Sequence, residues 1–146
     1  MATYSFLDVQ ANISGPGGSV NLGNGAAVAE EGITVEMAGD KNTMTIGSDG
    51  QGMHSLHADK SGTVTVRLLK TSPVNAQIMA MYDLQTSDPS LHGQNIITIN
   101  SPRIGDNNGC REVAFKKKPP MVYAKEGGIN EWVFDAIKID TILGTY

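Results

Sequence analysis

The 146 residues carry 15 acidic against 11 basic side chains, a net charge of -4. They fit one domain, and with 40% hydrophobic residues they exclude wholesale disorder, while the acidic balance excludes the broad cationic field that grips duplex DNA through its phosphates. The lone Cys110 excludes an internal disulfide, and no stretch reaches the ~18–20 apolar residues that span a bilayer. The start has no basic region followed by an apolar run, so the expectation is a soluble cytoplasmic product. Aromatic residues make up only 5% of the chain, so its core is built mostly of small aliphatics, and burial against other copies is expected to supplement it.

Seventeen glycines punctuate short alternating runs, the pattern of an all-β sandwich or barrel. Residues 4–13 read as a first strand, with Phe6 on one face and Leu7 and Val9 on the other. Gly15-Pro16-Gly17-Gly18 is a turn, with Val20 and Leu22 as the return, and residues 23–32 form a looser acidic connection. Ile33, Val35 and Met37 alternate with Thr34 and Glu36, and Met44 and Ile46 with Thr43 and Thr45, which predicts a hairpin around Gly39-Asp40-Lys41-Asn42. Residues 47–61 are a long polar loop with Met53 and Leu56 as its apolar anchors. Loops of this length in a compact domain tend to be functional or disordered, and this one is expected to reach outside the subunit.

Val64, Val66 and Leu68 alternate with Thr63, Thr65 and Arg67 in the cleanest strand, which belongs inside a sheet. Ser72-Pro73 starts the one convincing helix, with Val74, Ile78, Met81 and Tyr82 near helical spacing; the run ends around Gln85 and is broken by Asp88-Pro89. Ile97 and Ile99, Val113 and Phe115, Val122, and 132–139 supply further strands. The total is a mainly β fold, a sandwich or barrel of about eight strands with one flanking α-helix, in a single domain over 1–146.

No constellation for catalysis emerges. His54-x-x-His57 lacks the companion ligands a structural zinc needs, with Cys110 and His92 offering no nearby pair. Cys110 follows the turn Asp106-Asn107-Asn108-Gly109 and carries no nucleophile signature, so it reads as a small strand-edge residue. Gly15-x-Gly17-Gly18 and Gly23-x-Gly25 lack the lysine and the following helix of a phosphate loop. No motif selects a pair among Glu30, Glu31, Glu36, Asp40 and Asp49. Lys116, Lys117 and Lys118 read as a solvated strand edge or a contact with an acidic partner. The expectation is a chain with no catalytic, cofactor or metal residues, and not an enzyme; a small hydrolase on a β-scaffold would need a convergent polar pocket.

Three stretches carry a family likeness: Gly32-Ile-Thr-Val-Glu-Met-Ala-Gly-Asp-Lys-Asn-Thr-Met-Thr-Ile-Gly47; Ser61-Gly-Thr-Val-Thr-Val-Arg-Leu-Leu-Lys-Thr-Ser-Pro-Val-Asn75; and Lys125-Glu-Gly-Gly-Ile-Asn-Glu-Trp-Val-Phe-Asp135 with Ile139-Asp-Thr-Ile-Leu-Gly144. In this order they resemble the tail tube proteins of contractile-tailed bacteriophages, similar to the tube protein of type VI secretion. The resemblance implies a virion protein made in the bacterial host cytoplasm, without a membrane anchor or cofactor. It implies hexameric rings stacked into a hollow tube inside a contractile sheath, with DNA passing through the lumen without sequence-specific binding. The implied partners are other copies of the chain, the sheath protein, a baseplate or tube initiator and a length-setting protein. The alternative is a minor virion protein, a capsid-decorating or tail-completion β-sandwich. Within the tube reading, Thr34, Glu36, Thr43, Thr45, Thr63, Thr65 and Arg67 form the expected lumen face, where Glu36 or another cross-strand carboxylate is available to neutralise Arg67. Asp49, Met53, His54, Leu56, His57 and Asp59 form the expected inter-ring loop.

Overall fold

The computed structural model describes residues 2–146 apart from 24, 26 and 27, with the backbone alone for 29–31. Its elements are β1 (Gln10–Gly15), β2 (Gly18–Asn21), β3 (Val28–Met37), β4 (Asn42–Ile46), β5 (Gly52–Leu56), β6 (Gly62–Leu69), α1 (Val74–Ser87), β7 (Asn95–Ser101), β8 (Asp106–Lys117) and β9 (Ile129–Ile142). Seven strands form one antiparallel sheet in the order β2-β1-β7-β8-β9-β6-β3, while β4 and β5 pair only with each other.

Alternation decides which face of the sheet is buried. In β6, Val64, Val66 and Leu68 are fully buried while Thr63, Thr65 and Arg67 stand on the opposite, partly exposed face. Each such apolar side chain contributes about 1.5–3 kcal/mol on burial. The sheet rolls: Val28 and Ile33 of its β3 edge line the same cavity as Val9, Ile99 and Asn100 from the other side. One core therefore gathers Ile13, Ile97, Val113, Trp132 and Phe134 from the sheet with Ile78 and Met81 from α1. Phe115 is its aromatic hub, with ring centroids 4.8 Å from Phe134, 5.5 Å from Tyr82 and 6.0 Å from Trp132.

The helix begins one residue later than expected, at Val74 with Pro73 as its N-cap, while Ser72 Oγ accepts from the Val74 N–H at 3.3 Å; it runs two residues past Gln85 and ends before Asp88. It is fixed by polar contacts that the apolar spacing does not reveal. Gln85 and Asn95, both buried, exchange reciprocal amide bonds of 2.7 Å, and Gln85 also donates to the Pro16 carbonyl at 2.9 Å. At the other end the Trp132 indole donates to Asn75 Oδ1 at 3.0 Å.

Several sequence expectations change. Residues 4–13 are not one strand: a 3-10 turn, Phe6–Asp8, precedes β1, with Ser5 Oγ accepting from the Leu7 N–H. The expected hairpin between 33–37 and 44–46 does not form, since β3 pairs with β6 and β4 with β5. The 47–61 loop thus contains strand β5 and is half of a hairpin of its own. The connection placed at 23–32 already contains the start of β3, which carries a register shift between Val28 and Ile33 with Gly32 at φ 67°. Val122 lies in an irregular connection, not a strand. Cys110 is not at an edge: it is buried within β8, between β7 and β9.

Candidate assembly surfaces

The outer face of the sheet carries a connected polar layer. Thr34 pairs across from Thr65 and Glu36 from Thr63, while β6 pairs Thr63 with Asp135 and Arg67 with Glu131. Directly opposed residues share a face, so Thr34, Glu36, Thr63, Thr65 and Arg67 form one surface. Arg67 donates to Thr34 Oγ1 at 3.0 Å and has Glu131 Oε2 at 3.9 Å from its Nε. Its acidic neighbour is thus Glu131 from β9, which alternation within a single segment could not identify. Thr43 and Thr45 lie on β4 opposite Ser55 and Met53, outside this sheet. Toward the β2 edge the face becomes uncharged: Gln10, Asn12, Ser19, Asn21, Thr98 and Asn100 line a groove of about 500 Å³, and Thr98 donates to Asn12 Oδ1 at 2.9 Å.

The β4–β5 hairpin is an arm. Asn42, Met44 and Ile46 oppose Leu56, His54 and Gly52, which gives one face three apolar side chains. Met44, Ile46 and Leu56 are 63%, 55% and 84% exposed, and Met53 on the other face is 59% exposed. No residue of the arm between 42 and 54 is buried. Its tip is closed by the Gly47 N–H on the Gln51 carbonyl at 2.7 Å, with Asp49 Oδ1 accepting from the Gln51 N–H at 3.1 Å. At its root Lys41 Nζ donates to the His57 carbonyl at 2.6 Å and to the Asp59 carbonyl at 3.2 Å. Asp59 accepts from the Ser61 N–H at 2.8 Å. Its pKa lies below the ordinary carboxylate value, mainly through hydrogen bonds from the Ser61 side chain and backbone, with help from the charges of Lys41 and His57. Lys60 anchors the root to the sheet through Asp140 at 3.3 Å, which also accepts from Arg111 at 2.5 Å.

The imidazole of His54 lies 3.4 Å from the Asn42 amide. Among the described residues no three His, Cys, Asp or Glu side chains converge as a metal site. Burial pushes the Cys110 thiol up to about 11, far from a reactive thiolate. Glu36, Asp40 and Asp49 are exposed and spread over strand, turn and arm tip; the side chains of Glu30 and Glu31 lie outside the described residues. No described helix is long and apolar enough to cross a membrane. Among the described residues the surface exposes apolar side chains on a projection and gathers paired polar groups on a sheet.

A sequence model of the family described as "Bacteriophage PhiTE tail tube protein" matches residues 1–144. The chain belongs to this phage tail tube family. Its architecture recurs in contractile injection machines. A chain of the PVC sheath–tube complex in the extended state shares 10% identity at TM-score 0.54, covering 98% of this tail tube chain and 99% of that one. A chain of the PVC sheath/tube terminator reaches TM-score 0.59 at 10% identity, covering 97% and 98%. A chain of the anti-feeding prophage baseplate reaches 0.59 at 8% identity, covering 97% and 96%. Such identities show a shared fold. No curated protein sequence matches the tail tube chain.

Proposed function

We propose that the chain is the repeating subunit of a hollow tail tube: copies close into hexameric rings, the rings stack inside a contractile sheath, and the lumen conducts DNA during ejection. The observation that carries this reading is the family match over nearly the whole chain, joined to an arm that leaves its apolar face uncovered within its own subunit. The lumen wall is assigned to Thr34, Glu36, Thr63, Thr65 and Arg67, and the arm, with Asp49, Met53, His54, Leu56, His57 and Asp59 in or beside it, to the contact between rings. Thr43 and Thr45 go with the arm. A wall of hydroxyls and carboxylates, with Arg67 beside Glu131, lacks the unpaired cations that would hold phosphates by counterion release, so DNA slides. Sheath, baseplate initiator and length-setting protein are the expected partners, in keeping with the machines whose chains share this fold.

A tail-completion role is the second reading, favoured by the likeness to the sheath/tube terminator chain. Electron microscopy of the purified protein separates the two. The tube reading expects filaments with a stain-filled channel; isolated rings that never stack indicate a terminator, and permanent monomers at high concentration contradict both.

A further inference from the structure

The arm and the 118–128 connection lie at opposite poles of the sheet. The arm leaves where Met37 meets Gly62 and Ala136, and the connection enters where Leu69 meets Ile129, with the Lys70 N–H donating to the Gly128 carbonyl at 3.1 Å. The eight residues of β6 between them span about 23 Å at strand rise. The 118–128 strap exposes Met121, Val122 and Tyr123 at 51%, 61% and 81%. One face of the Tyr123 ring is capped by Lys70 Nζ, 4.1 Å from its centroid. Beneath the strap, Lys70, Met79, Pro119, Met121, Tyr123 and Trp132 line an open cavity of about 340 Å³, roomy enough for an aliphatic side chain.

Charge marks the two poles with opposite signs. Lys118 and Lys125 lie in the strap and Lys70 beneath it, against the single Glu126, whereas Lys116 and Lys117 end β8, where Lys117 meets Val133 midway along the sheet. The arm and its root carry Asp40, Asp49 and Asp59, and of their two lysines Lys41 is held on carbonyls of its own root and Lys60 is paired with Asp140 on the sheet. We propose that the arm of one copy seats its Met44, Ile46 and Leu56 face in the strap cavity of the next copy along the tube, with the strap lysines facing the arm carboxylates. The contact is head-to-tail, so it propagates in open stacks instead of closing as a dimer. Methionine suits such a socket because its flexible thioether packs against an aromatic ring. The inference rests on the stacked-tube reading and names the receptor of the arm.

Engineered cysteines test it, since native Cys110 is fully buried. The double variant Leu56→Cys/Val122→Cys, oxidised after assembly, is expected to give a disulfide ladder well beyond dimers, while each single variant gives none. Tubes that form without a ladder, or dimers from Leu56→Cys alone, overturn the inference and leave the tube reading standing; failure of the unmodified protein to form tubes overturns the tube reading itself. As a second measurement, the double substitution Lys118→Glu, Lys125→Glu is expected to raise the concentration needed for polymerisation about tenfold, and an unchanged threshold overturns the contact. A Val122→Cys thiol that reacts freely with maleimide in bare tubes and is protected only after sheath is added assigns the strap to the sheath and overturns the inference.

Discussion

The rolled sheet and the arm are built from the same alternating pattern, yet they end in opposite states. In β6 every second residue reaches the core: Val64, Val66 and Leu68 are fully buried. In β4 Met44 and Ile46 follow the same period and remain more than half exposed, because the arm has only two strands and no layer behind it. An isolated two-stranded hairpin is marginal in water. Alternation therefore specifies a face, and only a second layer makes that face a core. The body completes this within one chain; the arm does not.

The largest effect is expected in the body. Trp132→Ala removes a ring that touches Phe115 and bonds Asn75, and it should cost about 3–5 kcal/mol in chemical denaturation. Gln85→Leu leaves Nδ2 and Oδ1 of the Asn95 amide and the Pro16 carbonyl without their partner, a loss of about 1–3 kcal/mol by the same measurement.

At the junction the effect is smaller and depends on pH. Hydrogen bonds from Lys60 and Arg111, with their charges, hold the Asp140 carboxyl below its ordinary 3.8. A depressed folded-state pKa adds stability above the unfolded value, which is lost as pH falls through the folded one. Asp140→Asn should thus lower Tm modestly near neutral pH and match the parent once pH is well below 3.8, as thermal melts across that range would show.

The smallest effect on folding is expected in the arm. Leu56→Ser should leave subunit stability within about 0.5 kcal/mol while abolishing polymer in sedimentation. A loss comparable to that of Trp132→Ala would mean that the arm is part of the core, and the contrast between the regions would be void.

The sequence made the body partly legible. The β6 alternation and the Ser72-Pro73 helix start are local signals, and both survive in the fold. The pairing of β3 with β6 was hidden because β3 and β4 alternate alike and lie close in sequence, which mimics a hairpin; the long-range choice is made by burial of Ile33 and Val35 against the core. Strand β5 leaves little trace in the sequence because Gly-Met-His-Ser-Leu has no β-branched residue. On the outer face, Thr34, Glu36, Thr63, Thr65 and Arg67 were readable from period alone, whereas Glu131 as the acidic neighbour of Arg67 required the β6–β9 register. Val122 reads as strand because a lone β-branched residue carries no period to show that it lies in an exposed connection.

Amide hydrogen exchange on the unassembled subunit and on the finished polymer tests the central claim most directly. The account predicts arm amides between 43 and 55 that exchange rapidly in the subunit and become strongly protected in the polymer, with β6 and β9 protected in both. Arm amides already protected in the lone subunit, or still unprotected in the polymer, would contradict it.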